Sequence, residues 1–584
     1  MTAFREADYP DWPNLAAMMF ARARQAPTRP MLRHFADGAW RSIDWATFAR
    51  RAASTARNLR AQGISAGERV LIVAENRPEY PILETALLAI RAVPVPTYTT
   101  YTVEDYAHVL RDCGARAAIV STPDLAARIV AAHHLAAHHL AAPHLPNGAL
   151  DLLVTMSDFT TPAIRTIRFD TLDGDTLPPD DIEAEAALIP PTALACLIYT
   201  SGTGGDPKGV MLPHRAILSN CRGAYRLIQT LGLQDDVYLS YLPLSHSYEH
   251  TAGQFFMLSI GAEVAYARGV ETLAADIATI RPTIMTMVPR VLEVIRGRII
   301  QGVQRGPAWK RFLFDQALAL GLKRLDGQTL TLRENLLDKL LDRLVRAKVA
   351  ARFGGRLRIA ISGGARLEPE IGRFYLALGL RLLQGYGQTE AGPVISANLP
   401  LRIRTETVGP PLEGVELRIA PDGEILVRGD LVMDGYWGRP DETAAAVQHG
   451  WLHTGDIGVL EPDGYLRITD RKKDIIVLAG GDNISPARVE GMLAAQPAIA
   501  QAAVFGDGRS ALSALVVPQE GFDELAAANA VAEVNMRLSV TERIRRHAVV
   551  PPFTIDNGQL TATQKVKRHV VHQAHAATLE KLGA

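Results

Sequence analysis

The sequence predicts an α/β protein with a large N-terminal domain of layered βα sheets and a small α+β C-terminal domain. Short apolar runs alternate with helical patterns over about the first 400 residues, which is typical of parallel sheets covered by helices. From about residue 405, apolar and polar residues alternate around turn signals, which indicates antiparallel strands. About the last 110 residues carry their own strand and helix patterns, and this length suits a separate domain.

The N-terminal domain begins with a helical region, since residues 14–62 predict helices with a short hairpin between them. The apolar run RVLIV at 69–73 then ends shortly before a proline, as expected of a buried parallel strand. A helix followed by a strand is predicted at 81–97 and again at 109–122. The alternation continues with a strand, a turn and a helix at 279–295.

The residues at 334–353 have an amphipathic pattern that predicts one long helix. Its apolar stripe is predicted to contain Leu337, Leu341, Leu344 and Val345. Its basic face is interpreted as solvated, although it could also meet an anionic membrane. The next segment, RLRIAISGG at 356–364, predicts a strand that ends in glycines.

A domain boundary is predicted where the charged segment TDRKKD precedes the smaller unit. The N-terminal domain then covers 1–470, with sheet subdomains at about 1–400 and a β-rich subdomain at about 405–470. The C-terminal domain covers 474–584. It is predicted to hold two strand–helix stretches, a final strand and a C-terminal helix.

Charge and cysteine content bear on the class of protein. Lys plus Arg and Asp plus Glu both number 62, so a nucleic-acid-binding surface is not predicted. The three cysteines are far apart and form no metal or disulfide pattern, as is typical of buried thiols in a reducing cytosol. We find no signal peptide and no apolar run long enough for a transmembrane helix. We therefore predict a cytoplasmic protein, with peripheral contact to a membrane left open.

A histidine-rich tract, AAHHLAAHHLAAPHL at 131–145, contains five histidines. His134 and His138 are four residues apart, which would place both on one face of a helix. This spacing allows a metal site, whereas the repeated alanine and histidine residues favour an ordinary surface helix.

A glycine-rich loop, YTSGTGGDPKGV at 199–210, follows the apolar strand LACLIY. At the end of a strand in an α/β sheet, its backbone N–H groups could converge on an anion. The loop is not a Walker A sequence, because its lysine precedes the last glycine and no Ser or Thr follows. Phosphate binding is favoured over a flexible turn, since hydroxyl donors and a positive charge are supplied by Thr200, Ser201, Thr203 and Lys208.

Two later turns carry groups that suit the rest of a nucleotide. In QGYGQTEAG at 384–392, Tyr386 could stack on a base and Glu390 could hold Mg²⁺ beside phosphates. In HTGDIG at 453–458, Asp456 could accept two hydroxyl protons from a ribose. Each turn could instead be an Asx-type turn or a helix cap.

The order of these segments resembles the adenylate-forming enzyme superfamily, and within it the long-chain fatty acyl-CoA synthetases. The resemblance implies that ATP and a long-chain fatty acid give acyl-AMP and pyrophosphate, after which coenzyme A takes the acyl group. It also implies a β-barrel-like subdomain and a mobile C-terminal domain. Besides the loop and the two turns, four further segments carry the resemblance, namely PVPTYTTYT (94–102), LPLSHSYEH (242–250), GYLRITDRKKDIIVLAGGDNISP (464–486) and NGQLTATQKVKR (557–568).

The resemblance also implies roles for residues that match the family's motifs. The β- and γ-phosphates of ATP would contact Thr200, Ser201, Gly202, Thr203 and Lys208. The adenine pocket would contain Tyr386, Gly387, Gly363 and Gly364. Thr389 would lie near the α-phosphate, and Glu390 with Thr203 would lie near Mg²⁺. His246 would lie near the acyl carboxylate. The ribose hydroxyls would be held by Asp456 and Arg471.

The C-terminal domain would supply the catalytic cation. Lys565 matches the family's adenylation lysine, where a positive charge would stabilise negative charge that exists only in the transition state. It could instead be a surface lysine of a basic tail. Lys473 matches the hinge, at 470–473, about which the small domain would rotate between the two reactions. The thiol would then meet the segment at 478–484, which includes Gly480, Gly481 and Asn483.

Two positions depart from the family's pattern. Gly204 replaces a threonine of the phosphate loop, which leaves a backbone N–H, and Val477 stands where some relatives have a lysine. Two other activities stay open, namely a fatty acyl-AMP ligase that passes its product to a carrier protein and a ligase for a medium-chain or aryl acid. A non-catalytic binding protein is not favoured, because Glu390, Asp456 and Lys565 are all present.

Overall fold

The computed structural model describes residues 9–138, 150–174, 177–200, 207–480, 482–561 and 565–583. These residues form two compact units, and strands and helices are numbered along the chain. The first unit holds the described residues of 1–200, 207–417 and 427–452, and the second holds those of 418–426 and 453–584. The predicted hinge at 470–473 falls inside the second unit and stays a prediction.

The first unit contains an eight-stranded sheet. Its strands are β1 (Pro30–Ala36), β2 (Ala39–Asp44), β10 (Val237–Ser240), β11 (Glu263–Tyr266), β12 (Ile284–Met287), β13 (Ile359–Ser362), β14 (Leu382–Gly387) and β15 (Val394–Ala397). They are arranged in the order β15-β14-β13-β12-β10-β11-β1-β2. The six inner strands pair in parallel, whereas β2 and β15 pair antiparallel at the two edges. The strands predicted within 279–295 and 356–364 are therefore confirmed.

The first unit also contains a five-stranded sheet in which neighbouring strands run parallel. Its strands are β3 (Arg69–Val73), β4 (Val93–Pro96), β5 (Ala117–Val120), β6 (Leu152–Thr155) and β7 (Arg165–Arg168). They have the order β4-β3-β5-β6-β7. Strands β4, β5 and β6 are buried along their whole length, as is typical of parallel strands. The strands predicted at 69–73, within 81–97 and within 109–122 are confirmed as β3, β4 and β5, whereas β6 was not predicted.

Two further sheets follow. One has three antiparallel strands, β8 (Leu194–Thr200), β9 (Lys208–Pro213) and β18 (Gly435–Tyr436), with β9 in the middle. The other consists of β16 (Glu416–Ile419), β17 (Glu424–Arg428), β19 (Val447–Gln448), β20 (Trp451–Leu460) and β21 (Leu466–Arg471). Its strands have the order β16-β17-β20-β19, and β21 also pairs with β20. The strands predicted after residue 405 are therefore present, although β18 joins the three-stranded sheet instead of its sequence neighbours.

Helices connect the strands of the first unit. They are α1 (Leu15–Gln25), α2 (Trp45–Ala61), α3 (Glu79–Ala89), α4 (Val103–Cys113), α5 (Pro123–His138), α6 (Asp180–Ala187), α7 (His214–Gln229), α8 (Phe256–Ser259), α9 (Leu273–Ile280), α10 (Pro289–Gln304), α11 (Ala308–Leu325), α12 (Leu332–Leu341), α13 (Ala347–Arg352), α14 (Pro369–Ala377) and α15 (Pro440–Ala446). Polar side chains cap several of them. For example, Thr102 and Asp105 form a capping box at the start of α4.

The long helix predicted at 334–353 is confirmed, but one residue of its apolar stripe was placed wrongly. α12 continues through a π-helical turn at Asp342–Arg346 into α13. Leu341 and Val345 are buried in the core, whereas Leu344 is exposed. A π turn has more residues per turn than an α-helix, so it rotates Leu344 away from the core and centres Val345 on it.

The second unit has its own sheet and apolar core. It contains β22 (Ile476–Val477), β23 (Asn483–Ile484), β24 (Ile499–Phe505), β25 (Leu512–Pro518), β26 (Ile544–Val549), α16 (Pro486–Ala494), α17 (Glu524–Arg537), α18 (Arg568–Ala574) and α19 (Ala576–Lys581). β24, β25 and β26 form a three-stranded sheet whose inward side chains pack against α16 and α17. The predicted α+β character, the final strand and the C-terminal helix are confirmed.

Three predictions from composition can be compared with the described residues. All three cysteines are buried and form no disulfide, as predicted. No helix of the described residues is both long and apolar enough to cross a bilayer. The histidine-rich tract is helical as far as His138, and its residues 139–145 lie outside the described part of the chain. No group of metal-binding side chains is present among the described residues.

Candidate active site

The predicted nucleotide residues of the first unit gather at one edge of the eight-stranded sheet. β10, β12, β13 and β14 are parallel neighbours, so their carboxyl ends lie side by side. His246 follows β10, Gly363 and Gly364 follow β13, and Tyr386 and Gly387 form the end of β14. Ligands of open α/β sheets bind at such an edge. The sheet therefore brings together residues that are 141 positions apart in the sequence, from His246 to Gly387.

The turn that carries Thr389 and Glu390 is held tightly in place. The N–H of Gln388 donates to the carbonyl of Pro393 at 2.9 Å. A Cβ atom at Gly387 would lie 1.9 Å from that same carbonyl oxygen, so this position requires glycine. From helix α7, the Asn220 side chain donates to the Ala391 carbonyl at 3.1 Å and accepts from the Val394 N–H at 2.6 Å.

The loop after β10 packs directly on this turn. The hydroxyls of Ser247 and Thr389 are hydrogen-bonded at 2.9 Å. The ring of Tyr248 covers Gly363, where a Cβ atom would lie 2.8 Å from the ring, and its hydroxyl donates to the Ile361 carbonyl at 2.9 Å. The adenine and α-phosphate residues predicted from separate motifs are thus joined by Ser247 and Tyr248, which the sequence did not single out.

Tyr436 connects the predicted phosphate lysine to the predicted magnesium carboxylate. Its hydroxyl donates to Glu390 Oε1 at 2.9 Å, and Lys208 Nζ lies 5.1 Å from the centre of its ring. Lys208 also forms an ion pair with Glu442 on α15. Tyr436 reaches this position because β18 pairs with β9, with Tyr436 opposite Val210. The sequence carries only a weak signal for Tyr436, an aromatic residue after a glycine, and none for Glu442.

The carboxylate of Glu390 fits the role of a magnesium ligand. One of its oxygens accepts from Tyr436, and among the described residues no donor approaches the other. Mg²⁺ is usually held by one or two carboxylates together with phosphate oxygens and water. A carboxylate oxygen without a hydrogen bond from the described residues, in a carboxylate held by the tyrosine that Lys208 also approaches, therefore suits an ion that arrives with the phosphates of a nucleotide.

Part of the phosphate loop lies outside the described residues. This holds for Ser201, Gly202, Thr203 and Gly204, and also for Gly481 in the second unit. The two ends of the loop are described, since Thr200 ends β8, Lys208 begins β9, and the two residues are paired across the strands. The described ends of the loop are therefore paired residues of two antiparallel strands, and in the same strand β9, Val210 lies opposite Tyr436.

The predicted ribose residues are paired in the second unit. Asp456 on β20 lies opposite Arg471 on β21, and Arg471 Nε is 3.5 Å from Asp456 Oδ1. The Asp456 side chain is mostly buried and Arg471 is half exposed. The adjacent Lys472 bridges Asp422 and Glu424 at 2.7 and 3.0 Å, and thereby fixes the end of β21.

Three of the remaining predicted residues, Lys565, Lys473 and Gly480, lie on the surface of the second unit. Lys565 is exposed, and its backbone pairs with Thr561, whose N–H donates to the Lys565 carbonyl at 2.8 Å. Lys473 is exposed in the turn that follows β21. Gly480 is exposed between β22 and β23, and Asn483 belongs to β23. Their roles in hinge motion and catalysis stay predictions.

A buried carboxyl lies behind the loop that follows β10. Glu249 accepts hydrogen bonds from the hydroxyls of Tyr238 and Ser240, both at 2.7 Å, and of Thr286 at 2.9 Å. Burial raises the pKa of Glu249 to about 7, although these hydrogen bonds oppose the rise. The three donors come from strands β10 and β12, so the carboxyl ties the loop to the sheet.

Replacement of Glu249 by glutamine is expected to reduce the pH dependence of stability. The unfolded carboxyl loses its proton near its ordinary pKa of 4.5, and the folded one only near 7. Stability should therefore fall as pH rises between these values, by on the order of 3 kcal/mol. Denaturant unfolding of both proteins across this pH range measures the effect. Glu104→Gln, at an exposed position, is the control, and an unchanged slope in Glu249→Gln would contradict the assignment.

The fold and two family matches define this chain as an adenylate-forming ligase. The chain belongs to the family of AMP-binding enzymes, because that family matches residues 19–437 and the AMP-binding enzyme C-terminal domain matches residues 473–582. The resemblance predicted from the sequence motifs is confirmed, as is the α/β fold class with a large N-terminal and a small C-terminal domain.

Comparison with known proteins adds three relatives. Long-chain-fatty-acid–CoA ligase FadD15 of Mycobacterium tuberculosis is 34% identical over 599 residues, which cover 97% of each chain. The A domain of carboxylic acid reductase from Segniliparus rugosus, in complex with AMP and a co-purified carboxylic acid, has a TM-score of 0.73 at 21% identity, covering 99% of this chain and 95% of that one. O-succinylbenzoate coenzyme A synthetase from Bacillus subtilis, with ATP and a magnesium ion, has a TM-score of 0.68 at 22% identity, covering 95% and 98%. At these identities the two structures establish the fold.

Proposed function

We propose that this protein is an ATP-dependent, AMP-forming ligase that joins long-chain fatty acids to coenzyme A. In the first step a fatty acid carboxylate oxygen bonds to the α-phosphorus of ATP, and pyrophosphate leaves. In the second step the sulfur of coenzyme A bonds to the acyl carbon, its proton is lost, and AMP leaves. The products are acyl-CoA, AMP and pyrophosphate.

The observation that carries the nucleotide part of this proposal is the contact chain from Lys208 through Tyr436 to Glu390. It places a positive charge and a carboxylate on one aromatic ring, and Lys208 is the described residue at the C-terminal end of the phosphate loop. Lys208 would neutralise charge on the departing pyrophosphate, and Glu390 would hold the Mg²⁺ that enters with ATP. Bound there, Mg²⁺ would neutralise phosphate oxygens and favour attack on phosphorus. The relative from Bacillus subtilis, which holds ATP and magnesium, supports this assignment.

The residues of the sheet edge would bind the rest of the acyl-AMP. Tyr386 and the backbone at Gly363 and Gly364 would enclose the adenine. Thr389, oriented by the hydroxyl of Ser247, would donate to the α-phosphate. Lys565 would supply the cation of the first step, and Asp456 with Arg471 would bind the ribose.

Long-chain fatty acids are proposed as substrates because the relative from Mycobacterium tuberculosis, which matches nearly the whole of both chains, is a long-chain fatty acid ligase. Coenzyme A is proposed as acceptor on the same ground. At 34% identity the side chains that line an acyl pocket can differ, and one methylene changes discrimination by only about 1–3 kcal/mol. Acids of different chain length therefore test the long-chain assignment directly.

The test is pyrophosphate release with octanoate, palmitate, oleate and benzoate, each with and without coenzyme A, together with direct detection of acyl-CoA. We expect acyl-CoA from palmitate and oleate, at higher kcat/KM than from octanoate or benzoate. Pyrophosphate release without any acyl-CoA product would point to a carrier protein as acceptor. A preference for benzoate or octanoate would overturn the long-chain assignment.

A further inference from the structure

A row of four leucines faces solvent along the helical segment from α12 to α13. Leu332, Leu336, Leu340 and Leu344 are 81%, 64%, 51% and 39% exposed. They recur every four residues, so neighbouring members adjoin on one side of the helix. Single exposed apolar residues are ordinary on a protein surface, but a continuous row of large ones indicates a surface that binds a protein or a membrane. We call these four residues the leucine row.

The leucine row is not an incompletely packed core. The opposite side of the same segment is already buried, through Leu341 and Val345. That side is also anchored by ion pairs, since the buried Asp338 pairs with Arg324 and Arg346, each at 2.7 Å. The segment is therefore firmly attached through one side and presents a second apolar side to solvent.

Basic residues accompany the leucine row. Residues 305–352 contain eleven Lys and Arg against five Asp and Glu, a net charge of +6 in a chain whose total is zero. Four of the five acidic residues are engaged in ion pairs, namely Asp326, Glu334, Asp338 and Asp342. By contrast, no ion pair to a described residue is formed by Arg333, Lys339, Arg343, Lys348 or Arg352. The free charge of this surface is therefore positive.

Position on the helix places charge next to the leucines. In α12, Lys339 is three residues after Leu336 and so adjoins it on the helix surface. Arg343, in the π turn, is three residues after Leu340 and directly precedes Leu344. The row itself is about 18 Å long at 1.5 Å per residue. An apolar strip flanked by Lys and Arg is the pattern of helices that lie in the plane of a membrane surface.

We propose that the leucine row docks this protein on the surface of an anionic lipid bilayer. The leucines would enter the boundary between headgroups and acyl chains, and the flanking bases would bind lipid phosphates. Charge favours this occupant over a second copy of the chain, because dimerisation through this side would bring two positive surfaces together. If the proposed function also holds, docking would place the enzyme where long-chain fatty acids are dissolved.

The test is co-sedimentation of the full chain with vesicles of phosphatidylcholine alone and of phosphatidylcholine with phosphatidylglycerol. We expect the chain to bind the anionic vesicles. Binding to neutral vesicles, and binding to anionic vesicles in high salt, should each be at least tenfold weaker. Leu336→Glu with Leu340→Glu should weaken binding at least tenfold, and so should Lys339→Glu with Arg343→Glu. The matched control, Leu525→Glu with Val540→Glu, changes residues of similar exposure in the second unit and should bind like the parent.

Several outcomes would overturn the proposal. They are absence of binding to anionic vesicles, equal binding by the parent and the leucine variant, and an oligomer in sedimentation velocity that the leucine variant dissociates. The last would show that the leucine row is an interface between copies. Thermal unfolding checks that the variants fold, which we expect because all substituted side chains are exposed. Vesicle binding is measured without substrates, so it does not depend on the proposed catalytic activity.

Discussion

Replacement of Lys565 by alanine should lower the rate of acyl-AMP formation by about 10³-fold. The rate of thioester formation from supplied acyl-AMP should be largely retained. Negative charge builds up between the carboxylate and the α-phosphate only in the transition state of the first step, so a cation there affects that step alone. Lys565 is exposed, so its loss should leave stability within about 0.5 kcal/mol of the parent.

Separate measurement of the two half-reactions distinguishes a role of Lys565 in the first step from a general loss of activity. Pyrophosphate release measures the first, and conversion of synthetic acyl-AMP to acyl-CoA measures the second. Lys567→Ala is the matched control, because Lys567 is a nearby lysine of the same basic segment. Equal losses in both half-reactions, or equal effects of the two variants, would contradict the proposed role of Lys565.

Replacement of Glu390 by glutamine should lower kcat/KM for MgATP by about 10²-fold or more, because a metal ion supplies several kcal/mol of charge stabilisation. The substitution keeps the size of the side chain and an oxygen that can accept from the Tyr436 hydroxyl, which is 2.9 Å from Glu390 Oε1. The decrease in kcat/KM should therefore result from removal of the negative charge and not from disruption of the turn.

Magnesium titration distinguishes the two explanations. The activity of Glu390→Gln should require more Mg²⁺ for half-saturation than that of the parent. Tyr436→Phe is the comparison, since it removes only the hydroxyl and keeps the ring that Lys208 approaches. We expect the phenylalanine variant to lower kcat/KM for MgATP severalfold. A similar magnesium requirement in Glu390→Gln and the parent would rule out Glu390 as a ligand.

The sequence predicted much of the fold because its signals are local. Buried parallel strands such as β4 and β5 appear as short apolar runs, so the sequence predicted them. The position of Tyr386 at a strand end could be predicted for the same reason. The π turn at Asp342–Arg346 could not, because its effect on Leu344 depends on how the helix packs.

The sequence alone determined the α/β fold class, the family, and the motifs that carry Lys208, Tyr386, Glu390 and Asp456. Each of these depends on residues that are close together in the chain. Only the tertiary structure showed that Tyr436 joins Glu390 to Lys208, and that Ser247 bonds to Thr389. These contacts arise because strand pairing and the parallel sheet bring distant segments together, and no local pattern records which distant side chains will meet.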